Sequence, residues 1–357
     1  KLTSGSQQNF RNIIINGDMS IAQRGTSVSG ITNASGDVFV TDRFCWSESG
    51  SMTSTFTMSQ VTDVPTGQGF AKSLKLDCTA TDTPATTERI RIETRFEGQN
   101  LQYLKKGTAN AESWTLSFWV KSVKTGTYIV NFRDEDNTRI VSKAYTISSA
   151  NTWEKKTITV APDTTDPFDN DNAHSLTVAW ILSAGSSLQS GSLADVWQDY
   201  ANANYAAGQV NFADSTSNDF YITGVQLEAG TTASDFEFLP VDANLQRCQR
   251  YYYKYIEGSS KTIGIGSWWT ASSIETVAFF PISMRASPTI DATAGTNYYG
   301  INSNGAVYNI TNSWSINRVN LTSTQMYVNP ASTGTGGHAG LVTSNNASSY
   351  VAFNSEL

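Results

Sequence analysis

Charge is scarce in this chain. Asp, Glu, Lys and Arg make up 15% of its 357 residues, with a balance of −7. Binding along a nucleic-acid backbone needs clustered Lys and Arg, so the composition argues against a nucleic-acid partner. Cysteine is equally sparse. Cys45, Cys78 and Cys248 have no CxxC spacing and are odd in number, which argues against a metal cluster or a full disulfide framework. Cys45 and Cys78 fall inside strand patterns, where a thiol packs as a small apolar group. The two histidines, His174 and His338, lie outside any HExxH or GxSxG context, and each reads as a solvent-facing turn residue. No run approaches 18 apolar residues, so membrane insertion by a helix is not expected. The chain opens on Lys1 rather than Met and without a charged-then-apolar leader, and is expected to be a fragment or a processed product.

Aromatic residues, at 11%, are well supplied, so the chain is globular rather than disordered. Residues 113–122 alternate at period two. Trp114, Leu116, Phe118 and Val120 share one face, and Thr115, Ser117, Trp119 and Lys121 the other, as in a half-buried antiparallel strand. Trp119 is the exception, a large indole on the polar face. The same design at 218–230 places Tyr221, Thr223, Val225 and Leu227 together. The expected core comprises Trp114, Leu116, Phe118, Val178, Trp180, Tyr221, Val225 and Leu227.

Strand candidates recur at 38–46, 53–59, 73–79, 88–96, 114–121, 127–133, 139–146, 154–160, 175–182 and 219–228, separated by Gly, Asn and Asp clusters. Ten strands in about 230 residues suit two packed sheets in a jelly roll. Residues 99–105 could form one turn of helix. Leu193, Val196, Trp197 and Tyr200 stand at helical spacing within a long excursion, 185–208, of a length that covers a sheet face or carries function. At 242–255, Asp242 is placed to cap a short helix with Leu245, Cys248 and Tyr252 on one face. Seven more short strands follow, with Pro281, Pro288 and Pro330 where no ladder donor is needed. The fold class is therefore all-β: an extended lead-in (1–12), a large jelly-roll β-sandwich (13–240), a short helical joint (241–256) and a smaller β-sandwich (257–357). Charge is uneven along it. Residues 241–357 carry six Lys/Arg and five Asp/Glu, which leaves 18 and 26 for residues 1–240.

The opening Asn16-Gly17-Asp18-Met19, the central strand Trp114-Thr115-Leu116-Ser117-Phe118 and the closing strand at 218–230 together resemble the signature of carbohydrate-binding-module-like jelly rolls. The run from 12 to 240 also resembles a domain of bacteriophage virion proteins, especially tail-fibre and appendage proteins of marine phages. Segments 14–25, 96–107 and 245–252 carry that closer match. The resemblance implies a structural virion protein that contributes to host-surface attachment, together with other virion proteins as partners. In related jelly rolls a structural Ca²⁺ is held by an acidic residue near the opening motif and another in the closing strand. Asp18 meets the first requirement, but Thr223 stands where the second Asp is usual.

Three constellations bear on chemistry. The acidic loop with Asp163, Asp166, Asp169 and Asp171 offers hard oxygen ligands suited to Ca²⁺, though without an EF-hand's Gly and closing Glu. With Asp18, the residues Asp166, Asp169 and Asp171 are the metal candidates. No other cofactor is expected. Glu88, Glu93 and Glu97 are the neighbouring carboxylates that bear on glycan cleavage. With Arg89, Arg91 and Arg95 alternating with them they read as a solvated, charge-paired strand, so no catalytic residue is assigned and an enzyme is not expected. Trp119, Trp197, Tyr200, Trp268 and Trp269 are the candidate sugar-stacking platforms, joined by Tyr205. Trp268 and Trp269 must point to opposite sides of one strand. The expected function is a phage tail fibre or surface appendage located on the virion, a homotrimer that binds a host glycan or receptor. The alternative is an extracellular glycan-binding module of a bacterial secreted or surface protein.

Overall fold

The computed structural model describes residues 10–310, 312–329 and 333–357. Most of the expected lead-in, and Pro330, lie outside the described residues. The chain divides into two compact units, residues 1–244 with Leu357, and residues 245–356. No helix among the described residues is long and apolar enough to cross a membrane.

The first unit is an antiparallel sandwich of thirteen strands: β1 (Ser27–Ile31), β2 (Val38–Phe39), β3 (Cys45–Ser49), β4 (Thr55–Val61), β5 (Ser73–Ala80), β6 (Arg89–Glu97), β7 (Trp114–Ser122), β8 (Gly126–Asp134), β9 (Arg139–Ile147), β10 (Glu154–Val160), β11 (His174–Ala184), β12 (Gln198–Asp199) and β13 (Asp219–Ala229). One sheet runs β1-β4-β5-β13-β7-β10 and the other β12-β9-β8-β11-β6-β3-β2. The expected strand at 38–46 is two strands, because a turn with Arg43 at φ 70° separates β2 from β3. The sheets close over one apolar core. Phe118 of β7 meets Tyr145 at 5.2 Å and Trp180 at 5.7 Å between ring centroids, both edge-on.

The closing strand departs from its expected face. Register shifts between Thr223 and Gln226, and Gly224 at φ 62° turns the chain there. Phe220 and Ile222 face the core before the shift, and Val225 and Leu227 face it after. Tyr221 is therefore not a core residue as expected. It lies outside the core cluster, with its ring 4.1 Å from Lys121 Nζ and 6.1 Å from Trp153. The opening Asn-Gly explains itself at the same place. Val225 donates its N–H to Gly17 O, and a Cβ on Gly17 would sit 2.0 Å from Val225 O. Asn16 accepts from Ile21 N and donates to Ile21 O and Asp42 O, which holds the turn before β1.

The expected helix around 193–200 does not form. Its amides bond across the chain instead: Ala194 N donates to Asn204 O, Tyr200 N to Thr138 O, and Ser142 N reaches Ala194 O. The excursion is thereby stitched onto β9, with 3₁₀ turns at Ser186–Leu188 and Asn202–Asn204. Residues 99–105 likewise form 3₁₀ turns, at Gly98–Asn100 and Gln102–Leu104.

Helix α1 spans Val241–Gln249, so Asp242 sits inside its first turn rather than capping it. Tyr252 opens the next strand instead of sharing the helix face. The second unit holds β14 (Tyr252–Glu257), β15 (Thr262–Thr270), β16 (Ser273–Phe279), β17 (Thr289–Ala292), β18 (Tyr299–Ser303), β19 (Ala306–Ile310), β20 (Ser315–Asn317), β21 (Ser323–Val328), β22 (Ala339–Ser344) and β23 (Tyr350–Asn354). They form sheets β14-β23-β17 and β19-β18-β22-β15-β16-β21-β20, the smaller sandwich, around Tyr299, Ile301, Trp314 and Phe353.

Candidate functional site

The outer face of the seven-stranded sheet in the first unit carries an unusual set of polar groups. Strand pairing lines them up in two neighbouring rows. One runs Ser142, Asn131, Ala179, Glu93 and Cys45; the next runs Ile140, Arg133, Thr177 and Arg95. Ala179 is small and leaves a floor between Asn131 and Glu93. The excursion after β11 walls one side, with Tyr205 packed over Ile129, Ile140 and Ala179. The result is a pocket of about 210 Å³. Pockets for drug-sized ligands run from roughly 300 to 1,000 Å³, so this one suits a single small polar residue.

Asn131 is the feature that marks the pocket. It is 1% exposed, and neither its Oδ1 nor its Nδ2 has a hydrogen-bond partner. Leaving such a group unpaired costs about 1–3 kcal/mol, so a native chain keeps one only for a reason. Its neighbours are, by contrast, fixed. Arg95 donates through Nε (2.9 Å) and Nη2 (2.5 Å) to Glu93 Oε1, while Arg91 Nε donates to Oε2. Burial alone would raise the Glu93 carboxyl, but the two guanidiniums outweigh it and hold it below the usual carboxylate range. The expected charge pairing of this strand is met at Arg91, Glu93 and Arg95, but not as a solvated face: Glu93 is buried, as is Glu97, which accepts from Gln99 Nε2 at 2.6 Å.

His174 is not the solvent-facing residue the sequence suggested. It lines the pocket, with Nε2 2.8 Å from Thr177 Oγ1. Thr177 gives its one hydroxyl proton to Glu135 Oε1 at 2.8 Å, so His174 must donate from Nε2, as the neutral tautomer. Burial, followed by the positive charges of Arg95, Arg43 and Arg133 against the opposing pull of Glu93, lowers its pKa to about 4. The unfolded chain takes up a proton near pH 6.5, whereas the folded one does so only near 4. Stability is therefore present above pH 6.5 and is lost as the pH falls toward 4. Discounted for the partial exposure of the ring, wild type is expected to lose about 1–2 kcal/mol between pH 7 and pH 5. Urea melts of His174→Gln should lack that loss; an unchanged slope in the variant would locate the titrating group elsewhere.

The aromatic candidates do not gather at one site. Tyr200 does not line the pocket but stands behind two residues that do, its ring 5.1 Å from the Arg133 guanidinium and 6.0 Å from Tyr205. Trp197 instead packs edge-on against Trp114 at 5.3 Å, and Trp119 lies half-buried on the other sheet, paired across strands with Thr223 and Lys155. In the second unit Trp268 is 1% exposed and presents no face to a ligand, whereas Trp269 is 70% exposed. Asn131, Arg133 and Thr177 were not singled out from the sequence, and His174 was placed at the surface. Their polar alternation along β8 and β11 is visible, but the register that joins them is not.

The acidic loop is organised around a cation the chain supplies itself. Lys106 Nζ lies 2.6 Å from Asp134 Oδ2 and 3.3 Å from Asp163 Oδ2, and donates to the carbonyls of Thr165 and Asp166 at 3.1 and 2.5 Å. Asp163 also accepts from Arg139. Of the expected metal ligands, Asp166 thus turns its carbonyl onto Lys106, Asp171 accepts from Ala173 N, and Asp169 donates its N–H to Asp136. Asp18 accepts from Ser20 and Asn244, away from that loop. These residues do not converge as one ligand set. The group that does, among the described residues, is Asp37, Cys45 and Glu93, and there Arg95 Nη2 already lies 2.6 Å from Asp37 and 2.5 Å from Glu93.

No protein-family model matches this sequence, and no curated protein matches it. Solved structures do. The enzymatically active domain of tailspike protein 4 from bacteriophage CBA120 is similar at 15% identity and a TM-score of 0.31, over 61% of this chain and 21% of that one. A family 11 carbohydrate-binding module from Clostridium thermocellum, in complex with a mixed-linked β-1,3-1,4 tetrasaccharide, is similar at 10% identity and 0.29, over 58% and 99%. A xylan-binding domain of family 22 follows at 11% and 0.28, over 59% and 98%.

Proposed function

We propose that this protein binds a glycan, without cleaving it, in the pocket beside Asn131. The observation that carries the reading is the buried carboxamide with both polar atoms unpartnered, facing a small cavity. Sugar hydroxyls supply both donors and acceptors and would complete it. Tyr205 in the wall supplies aromatic surface of the kind pyranose rings favour. Cleavage is disfavoured by the state of Glu93. A glycosidase needs a carboxyl whose pKa is raised so that it can protonate the leaving oxygen, and Glu93 is held low between two arginines. The setting we propose is the surface of a phage particle, as part of a tail fibre or appendage and as a homotrimer. Support comes from the sequence resemblance of segments 14–25, 96–107 and 245–252. The same pocket would serve an extracellular bacterial module; portal, tail-tube or capsid genes beside the coding sequence would assign the protein to a particle.

Asn131→Leu separates binding from folding. On a glycan array the variant should lose at least tenfold in signal, while its stability stays level or rises by about 1 kcal/mol, because an unpaired buried amide has been removed. Retained binding, or a clear loss of stability, would show that Asn131 serves the fold instead.

A further inference from the structure

The pocket's charged groups specify its ligand more closely, on the premise that the glycan reading is right. Arg91 and Arg95 are spent on Glu93. Arg133 is not spent in the same way. Its Nε lies 3.2 Å from Glu135 Oε2, Tyr200 supports its plane, and its two terminal nitrogens have no hydrogen-bond partner among the described residues. A guanidinium edge presented like this matches a planar, bidentate acceptor. Glu135 does not swing across to fill that edge, because its other oxygen is held by Thr177, itself held by His174. Arg133 and Asn131 stand two residues apart on one strand face, about 7 Å, which is the scale of a pyranose ring. Across the lining, three arginines face two glutamates.

We infer that the pocket takes a carboxylate-bearing sugar residue, a uronate or a nonulosonate, with its acid group on the Arg133 guanidinium and its hydroxyl or acylamido groups on Asn131. Burial is the main cause of the depressed basicity of His174, and the positive charges of Arg95, Arg43 and Arg133 act in the same direction, against Glu93. Because that histidine is neutral, the charge preference rests on arginine and persists across the neutral pH range.

Calorimetric titration of the full chain with trigalacturonate and with 3′-sialyllactose, each beside its carboxyl-reduced alcohol, tests this and tells the two acid sources apart. At least one acid should bind tenfold or more tightly than its alcohol, with affinity that falls as salt rises. Arg133→Gln, checked for an unchanged melt, should abolish the difference. Equal binding of acid and alcohol, a preference that survives Arg133→Gln, or an array restricted to neutral glycans would each overturn the acid inference and leave an Asn131-dependent glycan site standing. Failure to bind any of the four probes or any arrayed glycan would overturn both.

Discussion

Lys106→Met is expected to destabilise the first unit by about 3–5 kcal/mol, read as a shift of the urea midpoint at constant slope. The ammonium is enclosed, and four oxygens converge on it: two carboxylates and two carbonyls. Removing it leaves Asp134 buried with only the Asn137 side chain and amide as partners, at 3.0 Å each. Asp163 keeps Arg139, so Asp134 bears most of the penalty. Asp134→Asn in the Lys106→Met background should therefore recover part of the loss, since a neutral amide tolerates burial better than a bare carboxylate. A single-variant loss under about 1 kcal/mol would mean that the cluster is neutral or that water reaches it.

Phe118→Ala should cost a similar amount, about 3–5 kcal/mol, by a different route. Phe118 is fully buried at the middle of β7, with Tyr145 and Trp180 edge-on against its ring, and both partners are held by long strands of the opposite sheet. A sandwich of this kind collapses poorly around a missing ring, so the cavity remains. Phe118→Leu should retain roughly half of the stability that Phe118→Ala loses. A loss below about 1 kcal/mol would be incompatible with the inward face assigned to β7.

These two sites were not equally legible in the sequence. The phase of residues 114–122 could be read directly, because nothing interrupts the alternation and Trp114, Leu116, Phe118 and Val120 all reach the core. Over 219–229 the same reading fails for Tyr221, since a glycine at positive φ shifts the phase midway and an alternation count assumes a constant one. Spacing misled at 193–200 for a related reason: Leu193, Val196, Trp197 and Tyr200 fit a helix, but their segment bonds to β9 and to its own far end. The pocket was the least legible part. Asn131 becomes a neighbour of Ala179 and Ser142 only through two strand pairings whose register the local pattern does not contain. His174 looked like an ordinary turn residue because its burial comes from side chains on other strands.

The position of β13 has a consequence for the order of assembly. It lies between β5 and β7 in the middle of its sheet, and its bulge is locked to the opening turn, with Asn12 Nδ2 on Val225 O across 213 residues of chain. During synthesis, at roughly 5–20 residues per second, β5 and β7 therefore wait many seconds with their inner edges open. Those edges are apolar on one face and can recruit strands from other nascent chains. A product that stops short of Asp219 is left as two half-sheets without their shared centre, and is expected to appear in the insoluble fraction. The strand made last in this unit is the one that seals it.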